Sequence, residues 1–203
     1  MNVAANDAIK IATLSSSMGG VFSSADLKNL LNETNNLKLN RRIRRLQGAG
    51  TLMRFSRGIY TTVNATLDAA SARVYDDSYV SLASALARHL MIGTIPVRTV
   101  YAVSAARTQT FLGPMGKIVY VGARPELVFG FEIVSGIKYA TPEKALIDTL
   151  YYYQKGRRYY FDIFSDINIS MVNEATIHAY LTHYKNPRFT TFVKGYLNDR
   201  ISR

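Results

Sequence analysis

The chain has 203 residues, of which 48% are hydrophobic, enough to bury a substantial core in one or two domains. Its 25 Lys/Arg against 14 Asp/Glu give a formal net charge of +11, which favours a polyanionic partner. The absence of cysteine excludes disulfide frameworks and thiolate metal sites and fits a reducing cytoplasm. No apolar run approaches the ~20 residues that span a bilayer. Residues 1–20 lack the basic start and long apolar stretch of a secretory signal. The expectation is a cytoplasmic protein with no membrane partner.

Residues 5–17 read as a first helix that carries Ile9, Ala12 and Leu14, ended by Met18-Gly19-Gly20. Ser23, three residues before Asp26, offers a capped start to a second helix, whose Leu27, Leu30 and Leu31 face a core. Asn32 to Asn36 is a polar turn. Then comes Leu37-Lys38-Leu39-Asn40-Arg41-Arg42-Ile43-Arg44-Arg45-Leu46. Leu39, Ile43 and Leu46 fall at i, i+4 and i+7, one apolar stripe. Lys38, Arg41, Arg44 and Arg45 point away from it, with Arg42 on its flank. Residues 51–62 read as two short strands around the basic turn Arg57-Gly58.

Three helices closed by a basic hairpin predict a winged helix-turn-helix over residues 1–64, with the arginine helix in the DNA major groove. A run of arginines is ordinarily a solvated helix face. Here four arginines in five positions have no interleaved acid, which favours DNA contact. Residues 1–64 hold nine Lys/Arg against three Asp/Glu, and the remainder sixteen against eleven, so cation density peaks where that reading needs it. Asn40, Arg41, Arg44 and Arg45 are the expected base-reading group, each good bidentate pair giving ~1–3 kcal/mol of discrimination. Lys38 and Arg42 are expected on phosphates, and Arg54 and Arg57 on the backbone or in the minor groove. Ser23 and Ser24 mark a helix N-terminus that could receive a phosphate. Four or five neutralised phosphates imply a log K against log salt slope of about −4.

Residues 65–203 read as a second, α+β domain. Asn64 to Asp77 is a linker or connecting helix, and residues 81–90 form a helix with Leu82, Leu86 and Leu90 in register. Strands at 99–103 and 117–121 flank the turn Gly113-Pro114-Met115-Gly116. Further strands at 127–134 and 137–139 complete an expected antiparallel sheet. Thr141-Pro142-Glu143 starts a helix plainly, with Thr141 as N-cap and Pro142 at the first helical position. Residues 172–184 and 189–198 are closing helices separated at Asn186-Pro187.

Four motifs occur in order: Arg57-Gly58-Ile59-Tyr60, Tyr79-Val80-Ser81-Leu82-Ala83-Ser84-Ala85-Leu86, Phe129-Gly130-Phe131, and Ala140-Thr141-Pro142-Glu143-Lys144-Ala145-Leu146-Ile147-Asp148-Thr149-Leu150-Tyr151. The series resembles the AbiEi family of antitoxins, also described as winged-helix transcriptional regulators, over nearly the whole chain. The resemblance implies a bacterial abortive-infection antitoxin of the type IV class. Its N-terminal domain would bind operator DNA and repress its own operon; its C-terminal domain would counteract a nucleotidyltransferase-like toxin. Many members lack a recognisable toxin gene, so the alternative is a stand-alone winged-helix regulator whose C-terminal domain binds a ligand or mediates oligomerisation.

No catalytic site, metal site or cofactor is expected. His178 and His183 are five apart and do not share a helix face as a zinc pair would. Glu143 and Lys144 project about 100° apart rather than converging. Capping and helix-surface pairing account for them, and Asp148 is expected to satisfy a nearby backbone or basic group. Gly113-Pro114-Met115-Gly116 lacks the Lys-Ser/Thr of a phosphate loop. Residues 151–161 mix tyrosines with Lys155, Arg157 and Arg158, as single-stranded nucleic-acid surfaces do. The plainer reading is a helix end with cations near its negative terminus. The functional alternative makes those three cations a contact for a toxin or for RNA.

Overall fold

A computed structural model describes residues 3–201. The protein is mixed α+β and divides into two compact units. One comprises the chain up to Asp76 together with Thr110–Ile118; the other comprises Asp77–Gln109 and the chain from Val119 onward.

The first unit runs α1 (Val3–Ser15), β1 (Val21–Ser23), α2 (Ser24–Leu30), α3 (Asn36–Gly48), β2 (Met53–Ser56), β3 (Ile59–Thr61) and α4 (Leu67–Val74). Its sheet has the order β1-β3-β2 and is antiparallel throughout, with Phe22 opposite Tyr60 and Met53 opposite Thr61. β1 is a strand that the residues' local pattern did not reveal. Ile11, Phe22, Leu27, Leu31, Leu39, Ile43, Leu46, Leu52 and Tyr60 form the core. The α2 start is a full capping box: Ser23 Oγ accepts from the Asp26 N–H at 3.0 Å, and Asp26 accepts from the Ser23 N–H at 2.8 Å. Gly20 has a φ of +72°, and a Cβ there would lie 2.9 Å from the Ala65 backbone, so the β1 approach admits only glycine.

The buried face of α1 does not carry the apolar residues Ile9, Ala12 and Leu14. Ile11 and Asp7 are buried, whereas Ile9 is 56% and Leu14 38% exposed, and Ala12 is also exposed. A buried carboxylate sets that face because its partner, Arg42, lies on α3. The boundary also moves beyond Asn64. Thr66 caps α4, and Ala69 and Ala70 are buried as α4 packs on β1 and β3. Residues 110–118 join this unit by close packing: a Cβ on Gly113 would collide with the Phe55 ring.

The second unit contains β4 (Tyr79–Val80), α5 (Leu82–Arg88), β5 (Thr99–Ser104), a short 3-10 helix (Pro125–Leu127), β8 (Phe131–Val134), β9 (Ile137–Ala140), α6 (Pro142–Gln154), α7 (Glu174–Leu181) and α8 (Pro187–Ile201). With β6 (Gln109–Gly113) and β7 (Gly116–Gly122), a six-stranded sheet runs in the order β6-β7-β5-β4-β9-β8. The sheet is mixed rather than antiparallel: β4 pairs parallel with β9, Val80 opposite Tyr139, while β4–β5 and β8–β9 are antiparallel. Residues 127–134 are not one strand, because the 3-10 turn ends at Leu127 and β8 begins at Phe131. Leu90 does not continue the α5 stripe. The helix ends at Arg88, and Leu90 takes a φ of +57° with 82% exposure. α6 is buried almost all round and forms the centre of this unit's core. None of the described helices is long and apolar enough to cross a membrane.

Candidate nucleic-acid interface

α3 owes its start to Asn35, whose side-chain oxygen accepts from the Leu37 and Lys38 N–H groups at 2.9 and 3.1 Å. Leu39, Ile43 and Leu46 bury against the first-unit core, each contributing ~1.5–3 kcal/mol relative to exposure. That anchoring fixes the rotation of the helix. Lys38, Asn40, Arg41, Arg44 and Arg45 consequently lie exposed, and no residue of the helix is acidic. Arg45 also sits in the last turn, where a cation meets the negative end of the helix dipole.

Arg42 behaves differently. Its Nε donates to Asp7 Oδ2 at 2.8 Å, its Nη2 to Asp7 Oδ1, and its Nη1 to the Leu31 carbonyl at 2.9 Å. Glu33 lies 3.8 Å away on the outer side. The Asp7 side chain is 2% exposed and the Arg42 side chain 18%. Hydrogen bonding to Asp7, assisted by its charge, raises the guanidinium pKa despite the opposing effect of burial. Read from the sequence as a phosphate contact, Arg42 is committed instead to bolting α3 onto α1 and the end of α2.

The hairpin brings two further cations to the surface. Arg54 on β2 and Arg57 in the turn are both exposed. The turn is held by Gly58, at a φ of +77°, whose carbonyl accepts from the Ser24 N–H at 2.8 Å. That bond ties the hairpin to the start of α2. It also occupies the helix N-terminus read as a phosphate receiver: Ser23 is engaged by Asp26, and Ser24 by Gly58.

In the second unit, three sequence-distant segments meet around one buried ion pair. Lys144 is fully buried; its Nζ donates to Asp148 Oδ1 at 2.6 Å and to the Tyr184 hydroxyl at 3.0 Å. Asp148 Oδ2 accepts from Tyr79 OH at 2.8 Å and Ser81 Oγ at 2.7 Å. The ammonium lies 4.5 Å from the centre of the Phe129 ring. Gly130, at a φ of +71°, lets this loop approach, since a Cβ there would stand 3.1 Å from Lys144 Cβ. Burial, then the Asp148 charge, pushes the Tyr79 and Tyr184 hydroxyls well above the ordinary tyrosine range. Lys144 is therefore not a helix-surface residue. Glu143 reaches across to accept from the Asn173 N–H at 2.9 Å, just ahead of α7.

The tyrosine-rich segment is largely structural. Tyr152 donates to the Gly122 carbonyl, Tyr159 to that of Thr149, and Tyr160 to that of Thr94. Arg157 is half-buried between the Tyr101 and Tyr159 rings, 5.3 and 5.9 Å from their centres. Lys155 and Arg158 are exposed, lying over Tyr151 and Tyr153. The three cations do not share one environment. Of the histidines weighed as ligands, His178 lies 3.5 Å from Glu174, and the His183 ring sits 4.2 Å from that of Phe129, tilted by 30°.

No protein-family model matches the chain, and no curated protein does. Among solved structures it is similar to the RV2827C protein from Mycobacterium tuberculosis, at 14% identity. The likeness covers 88% of this chain and 71% of that one, with a TM-score of 0.56. At that identity the likeness is one of fold.

Sequence reasoning found the exposed arginines and expected a basic or backbone partner for Asp148, which is Lys144, but it missed the Arg42–Asp7 pair and the burial of the Lys144–Asp148 pair. The Arg42–Asp7 pair was hidden because Asp7 lies 35 positions away on another helix. The Lys144–Asp148 spacing of four was the available signal for the second, since i, i+4 side chains share a helix face. Nothing local to α6 marks that face as buried.

Proposed function

We propose that the protein is a DNA-binding antitoxin of the AbiEi type, which represses its own operon and counteracts a nucleotidyltransferase-like toxin. On this reading the first unit is a winged helix-turn-helix, with α2–α3 as the helix pair and β2–β3 as the wing. The observation that carries it is the exposed, acid-free face of α3, set beside a basic hairpin. The element order and the β1-β3-β2 sheet support it. Lys38, Asn40, Arg41, Arg44 and Arg45 form the major-groove set, and Arg54 and Arg57 the wing set, with Arg42 left out as an internal strut.

The antitoxin half rests on the resemblance of the ordered motifs. Three of them, Tyr79–Leu86, Phe129–Phe131 and Ala140–Tyr151, supply Tyr79, Ser81, Phe129, Lys144 and Asp148 to the buried pair and its surroundings. Their co-occurrence thus has a physical basis in one shared core.

The test is growth rescue with the full chain and with Arg41, Arg44 and Arg45 changed to Ala, each co-expressed with the neighbouring gene, alongside operator binding. The expected result is that both proteins rescue growth while only the unaltered one binds operator DNA. A harmless neighbour, or a toxic one that neither protein rescues, refutes the antitoxin half and leaves a stand-alone regulator. Undiminished operator binding by the triple variant refutes the assignment of α3.

A further inference from the structure

A cleft of about 450 Å³ in the second unit lies where the end of α6 meets the start of α8. Arg124, Lys155, Lys185 and Arg188 line it, and none of its lining residues is acidic. Arg124 has Glu126 at 3.4 Å, but both side chains are about half exposed, and such a pair is weak in water. Lys185 and Arg188 make no ion pair among the described residues. Four like charges around one concavity repel one another and focus a positive field into it, so an anion bound there relieves the strain.

The walls are built rather than incidental. Tyr184 and Tyr151 form apolar floor, with ring centres 5.2 Å apart. Tyr184 is pinned from behind by the Lys144 ammonium at 3.0 Å. Lys155 caps α6 and holds its ammonium 4.3 Å over the Tyr151 ring. Asn186 fixes the opposite lip, its side-chain oxygen accepting from the Arg188 N–H at 3.0 Å. The positive end of α8 adds to the same field. The volume lies within the ~300–1,000 Å³ range of small-molecule sites.

We propose that this cleft binds a nucleoside triphosphate. About three to four phosphate charges match its four cations, and the tyrosine edges with Gln154 offer the base an apolar surface and an amide. The site is independent of the α3 surface and does not rest on the antitoxin reading.

The test is calorimetric titration of the full chain with ATP, GTP, AMP and inorganic triphosphate, repeated with a Lys185→Glu/Arg188→Glu variant and with the α3 triple alanine variant. Both reversed residues are exposed, so the fold is expected to persist by circular dichroism. ATP or GTP is expected to bind more tightly than AMP and than bare triphosphate. The charge-reversed protein is expected to bind at least about tenfold more weakly, and the α3 variant unchanged. Failure of both ATP and GTP to bind the unaltered chain, or equal binding by the charge-reversed protein, overturns the site. Triphosphate bound as tightly as ATP and GTP overturns the nucleotide assignment in favour of plain polyphosphate.

Discussion

Replacing Arg42 with alanine should damage the stability of the first unit far more than replacing its neighbours. The change strips both donors from Asp7, a carboxylate only 2% exposed, and one from the Leu31 carbonyl. Breaking a buried pair on one side costs about 3–5 kcal/mol. Because Arg42 keeps an edge in water, the lower figure of about 3 kcal/mol is expected. With a urea dependence of about 1–3 kcal/mol per molar, the unfolding midpoint should fall by about 1–3 M. Arg41→Ala and Arg44→Ala, on the exposed side, should stay within about 0.5 kcal/mol of the unaltered protein. The paired replacement Asp7→Leu/Arg42→Met should recover most of the loss, since it leaves no buried charge unpartnered. Arg42→Lys should fall between, keeping the charge but losing the two-pronged geometry. Urea titration followed by circular dichroism, with tyrosine fluorescence as a second probe, reads all five variants. An Arg42→Ala protein that unfolds within 0.5 M of its parent would refute the argument, because Asp7 would then be tolerated in the core without its partner.

The second-unit pair should show an asymmetry. Asp148→Ala strands a buried ammonium and the Tyr79 and Ser81 hydroxyls, whereas Lys144→Met leaves Asp148 with both hydroxyl donors. Chemical denaturation should therefore report a loss of about 3–5 kcal/mol for Asp148→Ala and a smaller one for Lys144→Met. Alkaline titration should also be informative. Burial pushes Tyr160 and Tyr196 up to about 12, and Tyr79, Tyr152, Tyr159 and Tyr184 above the ordinary range. Unfolded tyrosine loses its proton near ~10, so above that pH the unfolded chain binds fewer protons than the folded one. This contribution to stability is fully present below pH ~10 and is lost as pH rises toward and through the folded values. Phenolate absorbance should rise in a steep step coincident with loss of circular dichroism; gradual ionisation of every tyrosine near pH 10 in a still-folded protein would contradict it.

Where local chemistry decides structure, the sequence was readable. Ser23 with Asp26, and Thr141 with Pro142, mark their helix starts through groups only a few residues apart. The Leu39–Ile43–Leu46 stripe fixes α3 because three large apolar side chains at helical spacing outweigh any competing face. Legibility fails where a partner is remote. β1 is three residues long and exists because β3 lies beside it. The parallel β4–β9 pairing joins residues 59 positions apart, with no turn to announce it. Apolarity argues for burial of Ile9, yet Asp7, two residues earlier, had the partner that determined which side of α1 turned in. Lys144 misled in the reverse sense: a charged residue reads as solvent-facing until its counter-charge and hydroxyl partners are known.

The parallel seam between β4 and β9 has a bearing on biosynthesis. Tyr79 and Ser81 are made some 67 to 69 positions before the carboxylate that accepts their hydroxyl hydrogen bonds. While a ribosome is extending the chain through that interval, β4 can pair with β5 on one edge but lacks β9 on the other. The two halves of the sheet cannot therefore join at this seam until β9 has emerged. Loop closure over such a span is entropically costly until the distant contacts form together. A protein stalled or cleaved before β9 would present the Tyr79–Val80 edge unpaired on that side and the α5 leucines without α6 to cover them, the kind of surface that quality-control proteases and chaperones engage.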